Sequence, residues 1–347
     1  MIALLIASAA SMTSSLIGTR ILIQWLRRRN VSQPILVLEG RTGPPHEAKA
    51  GTPTMGGVAI VGSMLVGYLV AHLRRGTIFT NTGLIVVLTI FGAATVGFLD
   101  DWIKVSNARN LGLNKRMKML GLLVVAVGFG LLMVKVTRVH TGLAFTRFNN
   151  PGWHLTATGW VLLAVVMIVS TSNAVNVTDG LDGLAAGSAI YAFIAFTVVA
   201  FWGFRHPEIY KIDHALDLSV ISVSMAGACS GFLWWNAAPA RIIMGDTGSL
   251  AIGTGLASLA MATNAHLLLP IVCGLYVAET VSVILQIISY RRFGRRIFRM
   301  SPVHHHFELK GWPETTVIIR FWILAGICTA VALGLYYADF ASIGAAD

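Results

Sequence analysis

Residues 83–104 read Gly-Leu-Ile-Val-Val-Leu-Thr-Ile-Phe-Gly-Ala-Ala-Thr-Val-Gly-Phe-Leu-Asp-Asp-Trp-Ile-Lys. Positions 83–99 carry no charge, and Asp100, Asp101 and Lys104 follow at once. In lipid every backbone N–H and C=O must be satisfied within the segment, and an α-helix does this. The stretch therefore reads as a membrane helix that ends at a polar surface. The chain repeats the pattern. Of its 347 residues 55% are hydrophobic and only 12% are charged, with a mean hydropathy of +0.72. Ordinary soluble domains carry about 25% charged residues, so a large soluble enzyme is excluded.

A spanning helix needs about 20 mostly apolar residues. Ten stretches qualify: 2–25, 56–73, 83–99, 119–136, 158–175, 184–202, 218–235, 249–263, 267–290 and 317–337. Those at 83–99 and 249–263 are short. Loops between them are brief, and no repeat or low-complexity tract interrupts them. The sequence predicts an all-α, polytopic membrane bundle of about ten helices, one domain over residues 1–347.

Lysine and arginine give the orientation. Loops 26–55, 100–118, 176–183, 236–248 and 291–316 hold 17 of the 26 basic residues, and the opposite loops and tail hold 7. The positive-inside rule makes the first set cytoplasmic and places both termini outside. Met1 to Trp25 is apolar and precedes Arg27, Arg28 and Arg29, the reverse of a cleaved signal, so a first membrane helix is expected. A net charge of +11 would suggest nucleic acid in a soluble protein. Here it lies in short loops and fits topology and an anionic bilayer, with no nucleic-acid partner. Cys229, Cys273 and Cys328 sit in apolar segments without metal or CxxC spacing and read as small buried hydrophobes.

Five of the nine aspartates lie at the ends of apolar segments on the predicted cytoplasmic face: Asp100, Asp101, Asp179, Asp182 and Asp246. Carboxylates gathered at one membrane surface hold a cation or handle a charged substrate. Asp100 and Asp101 repel each other, so one needs a proton or a cation. Lys104 is placed to pair with Asp100 or to neutralise a phosphate. Asn173, Asn176, Asp179 and Asp182 recur every third residue, which puts neighbours on one face of a helical turn. A helix cap needs only one such side chain.

Residues 236–249 read as a glycine turn entering a helix N-terminus, where exposed amides suit an anion and Asp246 adds a carboxylate. Asp, Thr and Ser there would also serve as a cap. His304, His305 and His306 are consecutive, so they point about 100° apart and cannot hold one ion from one helix face. They read as donors to phosphate or sugar. In residues 44–57, Lys49 and Thr54 are placed for phosphate or hydroxyl contacts. Glu279 lies inside an apolar stretch, either functional or paired with Arg20 or Arg320.

Carboxylates, glycine turns, lysines and histidines on one face suit transfer of a phosphorylated group from a soluble donor to a lipid. Such transfer depends on positioning and charge neutralisation. Residues 46–57, 98–104, 173–183, 241–249 and 301–308 resemble the signatures of the phospho-N-acetylmuramoyl-pentapeptide transferase (translocase I) family. The resemblance implies that UDP-N-acetylmuramoyl-pentapeptide and undecaprenyl phosphate give UMP and lipid I. It implies Mg²⁺, a homodimer, and a bacterial inner-membrane enzyme with a cytoplasmic active site. Asp246 resembles the family's metal-binding carboxylate. Asp100 resembles its candidate base, and Asp101 supports the same polyphosphate region. Asn176, Asp179 and Asp182 resemble nucleoside-side residues, with Asp182 toward uracil. Lys49, Thr54 and Gly245 resemble further nucleotide-site positions, and His304, His305 and His306 the motif near the sugar phosphate. Ile243 stands where some members offer an aromatic for stacking on the base. An N-acetylglucosamine-1-phosphate transferase is the nearest alternative, against which the Ser-Pro-Val-His-His-His-Phe-Glu block argues. A cation transporter would place its carboxylates near mid-membrane, and a scaffold protein would not gather them at the rim.

Overall fold

The computed structural model describes residues 1–29, 31, 51–74, 76–106 and 112–344. In chain order these form α1 (Ile2–Arg28), α2 (Gly57–His72), α3 (Asn81–Ser106), α4 (Lys115–Val136), β1 (Gly142–Ala144), β2 (Pro151–His154), α5 (Ala157–Thr178), α6 (Leu184–Arg205), α7 (Pro207–Tyr210), α8 (Ala215–Asn236), α9 (Gly245–Ala262), α10 (Leu269–Val272), α11 (Gly274–Phe293), α12 (Val303–Glu308) and α13 (Glu314–Gly344). Seven of them, α1, α3, α4, α5, α6, α8 and α13, are long and apolar enough to cross a membrane. The chain is a multi-pass membrane protein.

Each of the ten apolar stretches holds a helix. The three outside the set of seven are α2, α9 and α11, and each has a physical reason. Helix α2 has 16 residues. Helix α11 carries Glu279, Arg291 and Arg292. Helix α9 is rich in Gly, Ser and Thr, and Thr247 to Ala262 is buried throughout. A helix wrapped by other helices needs no lipid-facing surface, and small residues let its neighbours come close. The all-α expectation also missed an antiparallel pair, β1 with β2, between α4 and α5.

Helix α9 runs between α3 and α5, with α2 across its N-terminal end. The approach there is backbone on backbone. A Cβ on Gly57 would lie 2.0 Å from the Gly248 nitrogen, and one on Gly97 would lie 2.3 Å from the Asp246 carbonyl oxygen. Only glycine permits either contact. Three main-chain bonds tie the segment before α2 to the turn before α9: Ile243 N–H to Pro53 O (2.8 Å), Gly56 N–H to Ile243 O (3.0 Å) and Gly57 N–H to Met244 O (2.9 Å). Elsewhere α1 packs along α8, where Ser15 Oγ donates to Ala228 O at 2.7 Å.

The far end of the bundle is closed by separate pairings. Asp217 accepts from Thr80 N–H (3.0 Å) and Thr80 Oγ1 (2.6 Å), and His72 Nε2 lies 3.1 Å from its other oxygen. Arg147 meets Asp339 at 2.7 Å. Ala144 N–H donates to buried His266 Nε2 at 2.7 Å, tying β1 to the link between α9 and α10.

Candidate active site

Asp246 opens α9, and its carboxylate is surrounded by three other helices. Oδ2 meets Lys118 Nζ of α4 at 2.6 Å and Lys104 Nζ of α3 at 3.2 Å. Oδ1 accepts from Asn176 Nδ2 of α5 at 2.7 Å, and the same amide donates to Ser249 Oγ at 2.8 Å. Lys104 also meets Asp100 Oδ2 at 2.5 Å. Asp100 Oδ1 accepts Leu113 N–H at 2.7 Å, which fastens the start of the α4 approach to α3. Oxygens of Asp100, Asp101 and Asp246 lie within 4.8 Å of one another. Three carboxyl groups thus face two ammonium groups.

Asp101 has a different task. Its Oδ1 accepts Asp246 N–H (3.0 Å), and its Oδ2 accepts Thr247 N–H (2.9 Å) and Thr247 Oγ1 (2.6 Å). The first turn of a helix has unsatisfied N–H groups, and Asp101 satisfies two of those of α9 from a neighbouring helix. Capping by Asp246, Thr247 or Ser249 themselves was one reading of the sequence. The residue at the cap position is Met244, with no side-chain cap bond, so the cap comes from α3 instead. Gly245 follows Met244 with φ of +75°, and a Cβ there would lie 2.6 Å from Asp101 Oδ2. The turn therefore requires glycine both for its dihedral and for the carboxylate beside it.

The Asn/Asp series divides its labour. Asn173 Nδ2 bonds back to Val169 O on its own helix (2.7 Å). Asn176 reaches Asp246. Asp179 ends α5 one turn further on. Asp182 is buried, accepts Ala240 N–H at 2.9 Å, and its own N–H donates to Glu314 Oε1 at 3.1 Å. It thus holds the turn before α9 against the start of α13.

The three histidines point three ways, as consecutive helical residues do. His304 is fully buried, with Nδ1 3.1 Å from Oε2 of equally buried Glu279. His305 Nδ1 meets Glu308 Oε2 at 2.6 Å. His306 Nδ1 accepts Arg299 N–H at 3.0 Å. Desolvation, with the Lys310 and Arg299 cations nearby, holds the His306 imidazole below the ordinary histidine range. It is a neutral acceptor at pH 7. His304 touches the Asp179–Asp182 turn: a Cβ on Gly180 would lie 2.5 Å from His304 Nε2. Glu279 pairs with neither Arg20 nor Arg320. The Arg320 guanidinium lies over the Trp312 ring at 4.1 Å.

The structure brings Asp100, Asp101, Lys104, Asn176, Gly245 and Asp246 into one cluster, with Asp179 a turn away. Asp182 and His304 bracket the adjoining turn. Thr54 is buried in the clamp between residues 53–57 and 243–244. Lys49 lies outside the described residues. Sequence reasoning missed Lys118, although its place was a signal. Lys115, Arg116 and Lys118 crowd the N-terminal turn of α4, where the helix dipole disfavours cations. Basic residues there need a carboxylate opposite.

The donor set fits a hard divalent cation, which takes carboxylate oxygens and completes its shell with phosphate or water. Asp101 accepts three bonds from neutral donors, with the Lys104 ammonium 4.0 Å from Oδ1. Asp100 Oδ2 is buried against the Lys104 ammonium, and the Asp100 and Asp246 carboxyls touch. Asp246 Oδ2 meets the two lysines. Asp100 and Asp246 are therefore the pair whose charge is open to a cation.

A family model described as Glycosyl transferase family 4 matches residues 83–264. One described as Phospho-N-acetylmuramoyl-pentapeptide-transferase signature 1 matches residues 49–61. The chain is 46% identical to a protein of Frankia alni, over 98% of each chain. It is 42% identical to one of Streptomyces griseus, over 98% of this chain and 99% of the other. It is 42% identical to one of Cutibacterium acnes, over 97% and 98%. All three relatives bear the name phospho-N-acetylmuramoyl-pentapeptide-transferase.

Proposed function

The chain belongs to the phospho-N-acetylmuramoyl-pentapeptide-transferase family, and on that premise we propose that it transfers phospho-N-acetylmuramoyl-pentapeptide from its UDP conjugate to undecaprenyl phosphate. The products are lipid I and UMP. The observation that carries the reading is Asp246, gripped by Lys104, Lys118 and Asn176 from three helices beside the Asp100 carboxylate.

A nucleotide sugar brings two negative phosphates. Lys104 and Lys118 neutralise them, and charge-assisted bonds of this kind are about twice as strong as neutral ones. Asp100 takes the proton of the lipid phosphate. A lipid phosphate oxygen then attacks the sugar-side phosphorus directly, the new P–O bond forms, and the bond to UMP breaks. Asp246 would hold Mg²⁺, which would supply charge neutralisation on the departing phosphate. Asn176, Asp179, Asp182, Lys49, Thr54 and Gly245 form the nucleoside side, and the 304–308 helix the sugar side. His305 and His306 are its half-buried members. His304 serves from beneath, against Gly180.

The reading places the cluster at the cytoplasmic face of the bacterial inner membrane, in one domain of ten spans with both termini outside, working as a homodimer. An apolar bed holds the prenyl chain in the bilayer, which raises the effective concentration of acceptor against donor. Purified protein with undecaprenyl phosphate should release UMP from UDP-N-acetylmuramoyl-pentapeptide only when Mg²⁺ is present. Release from UDP-N-acetylglucosamine instead would move the protein to the neighbouring transferase class. No release from either, with cation flux in liposomes, would remove the reading.

A further inference from the structure

Asp246 is faced by α3, α4 and α5. Separately, α1, the end of α8 and the turn after it border a half-open hollow of about 270 Å³, lined by Arg20, Ile23, Gln24, Arg27, Trp235 and Arg241. Arg20, Ile23, Gln24 and Arg27 recur at three-, four- and seven-residue intervals, so they share one face of α1. The opposite wall is fixed. Trp235 Nε1–H donates to Leu16 O at 2.9 Å. Arg241 N–H donates to Trp235 O at 2.8 Å, and its guanidinium carbon lies 5.7 Å from the Trp235 ring centroid.

Three guanidinium groups thus border one hollow. Among the described residues no carboxylate pairs with any of them, whereas Lys104, Lys118 and Arg147 all have acidic partners. Like charges around a common space repel unless an anion joins them. Arg20 is also deep for an arginine. It stands eight residues before the end of α1, roughly 12 Å along the axis. An arginine at that depth in a membrane helix extends toward the head groups. The adjoining surface of α1 is apolar and exposed at Ile17, Ile21 and Trp25.

We infer that Arg20, Arg27 and Arg241 form a binding site for the phosphate head group of a membrane lipid, distinct from the acid cluster. Guanidinium forks match phosphate oxygens in pairs. Ile23 and Trp235 meet the apolar part below. The depth of Arg20 and the lipid-facing flank of α1 favour a lipid phosphate over a soluble one. The inference rests on α1 lying in the membrane and not on the transferase reading. Two lipids carry the chemistry: a phosphodiester such as phosphatidylglycerol and a polyprenyl phosphate monoester.

Native mass spectrometry of the full-length, delipidated protein separates them. Phosphatidylglycerol, undecaprenyl phosphate, phosphatidylcholine and inorganic phosphate would be offered in turn. We expect one equivalent of an anionic lipid to bind at least tenfold more weakly to the R20Q/R27Q/R241Q variant than to wild type. Phosphatidylcholine should not distinguish the two proteins. A control variant at the other face, K135Q/R138Q, should bind as wild type. Thermal unfolding verifies that the triple variant is folded, and single R20Q and R241Q variants should each give part of the loss. The anionic lipid that shows the loss identifies the source. Equal binding of every lipid by both proteins, or a loss seen only with inorganic phosphate, would overturn the site.

Discussion

Glu279 of α11 and His304 of α12 face each other at 3.1 Å with neither side chain exposed. A buried carboxylate is costly and is retained where it has a partner and a task. Here it stands against the imidazole beside Gly180, so α11 backs the turn that carries Asp179 and Asp182. Glu279→Leu removes the carboxylate 3.1 Å from His304 Nδ1 and leaves the imidazole buried against a hydrocarbon. UMP release should fall at least tenfold, and the melting temperature should drop. Glu279→Gln keeps a polar group of the same shape and should retain more of both. Unchanged turnover in the leucine variant would show that the pair does not position the turn.

Asp246 is the shared partner of Lys104, Lys118 and Asn176. Asp246→Asn removes the charge that holds the two ammonium groups together. UMP release should fall at least 100-fold, about 2.7 kcal/mol of barrier. Mg²⁺ should no longer raise the melting temperature of the nucleotide complex. Lys118→Met should instead raise KM for the UDP donor about tenfold, the scale of one charge-assisted bond. Wild-type turnover in the Asp246→Asn variant would mean that the metal lies elsewhere.

Asp101 is expected to behave as a cap. Its two oxygens accept three bonds from the first residues of α9. Asp101→Ala should destabilise the protein by about 2 kcal/mol, in the range of a lost cap and its buried donors. Activity should decline in step with stability. The Asp246→Asn variant should lose activity at nearly constant melting temperature. Thermal unfolding beside turnover separates the two patterns.

His266 makes stability depend on pH. Burial lowers its imidazole to about 4, and the neutral ring accepts Ala144 N–H. In the unfolded chain it titrates near 6.5, as a histidine ordinarily does, at about that value. Between the two values the unfolded state binds more protons, so stability rises with pH there. The contribution is complete above the unfolded value. It is lost as pH falls toward 4 and is constant below. Melting temperatures should decline between pH 7 and 4.5, and the slope should be shallower in His266→Gln.

Much of this was legible in the chain, because membrane helices declare themselves by composition. Each apolar stretch became a helix, and the rim aspartates at 100, 101 and 246 met. What stayed hidden was pairing across distance. Lys118 and Asp246 are 128 residues apart, and no local pattern joins them. The cap on α9 comes from a helix whose acidic pair was read for base and polyphosphate roles, when Asp100 faces Lys104 and Asp101 accepts from the α9 backbone and Thr247. The β1–β2 pair was missed because strands of 3 and 4 residues carry too little alternation to register.

At Gly57 on Gly248 and Gly97 on Asp246, main chain rests on main chain. No rotamer change can part the backbones beside the acid cluster there. Helices α2, α3 and α9 must shift as a unit or not at all. Adaptation to ligands of different bulk consequently falls to the rim: to the 179–183 turn and the short histidine helix, which meet through side chains. Chemical variety in inhibitors should be tolerated at that edge and refused at the base.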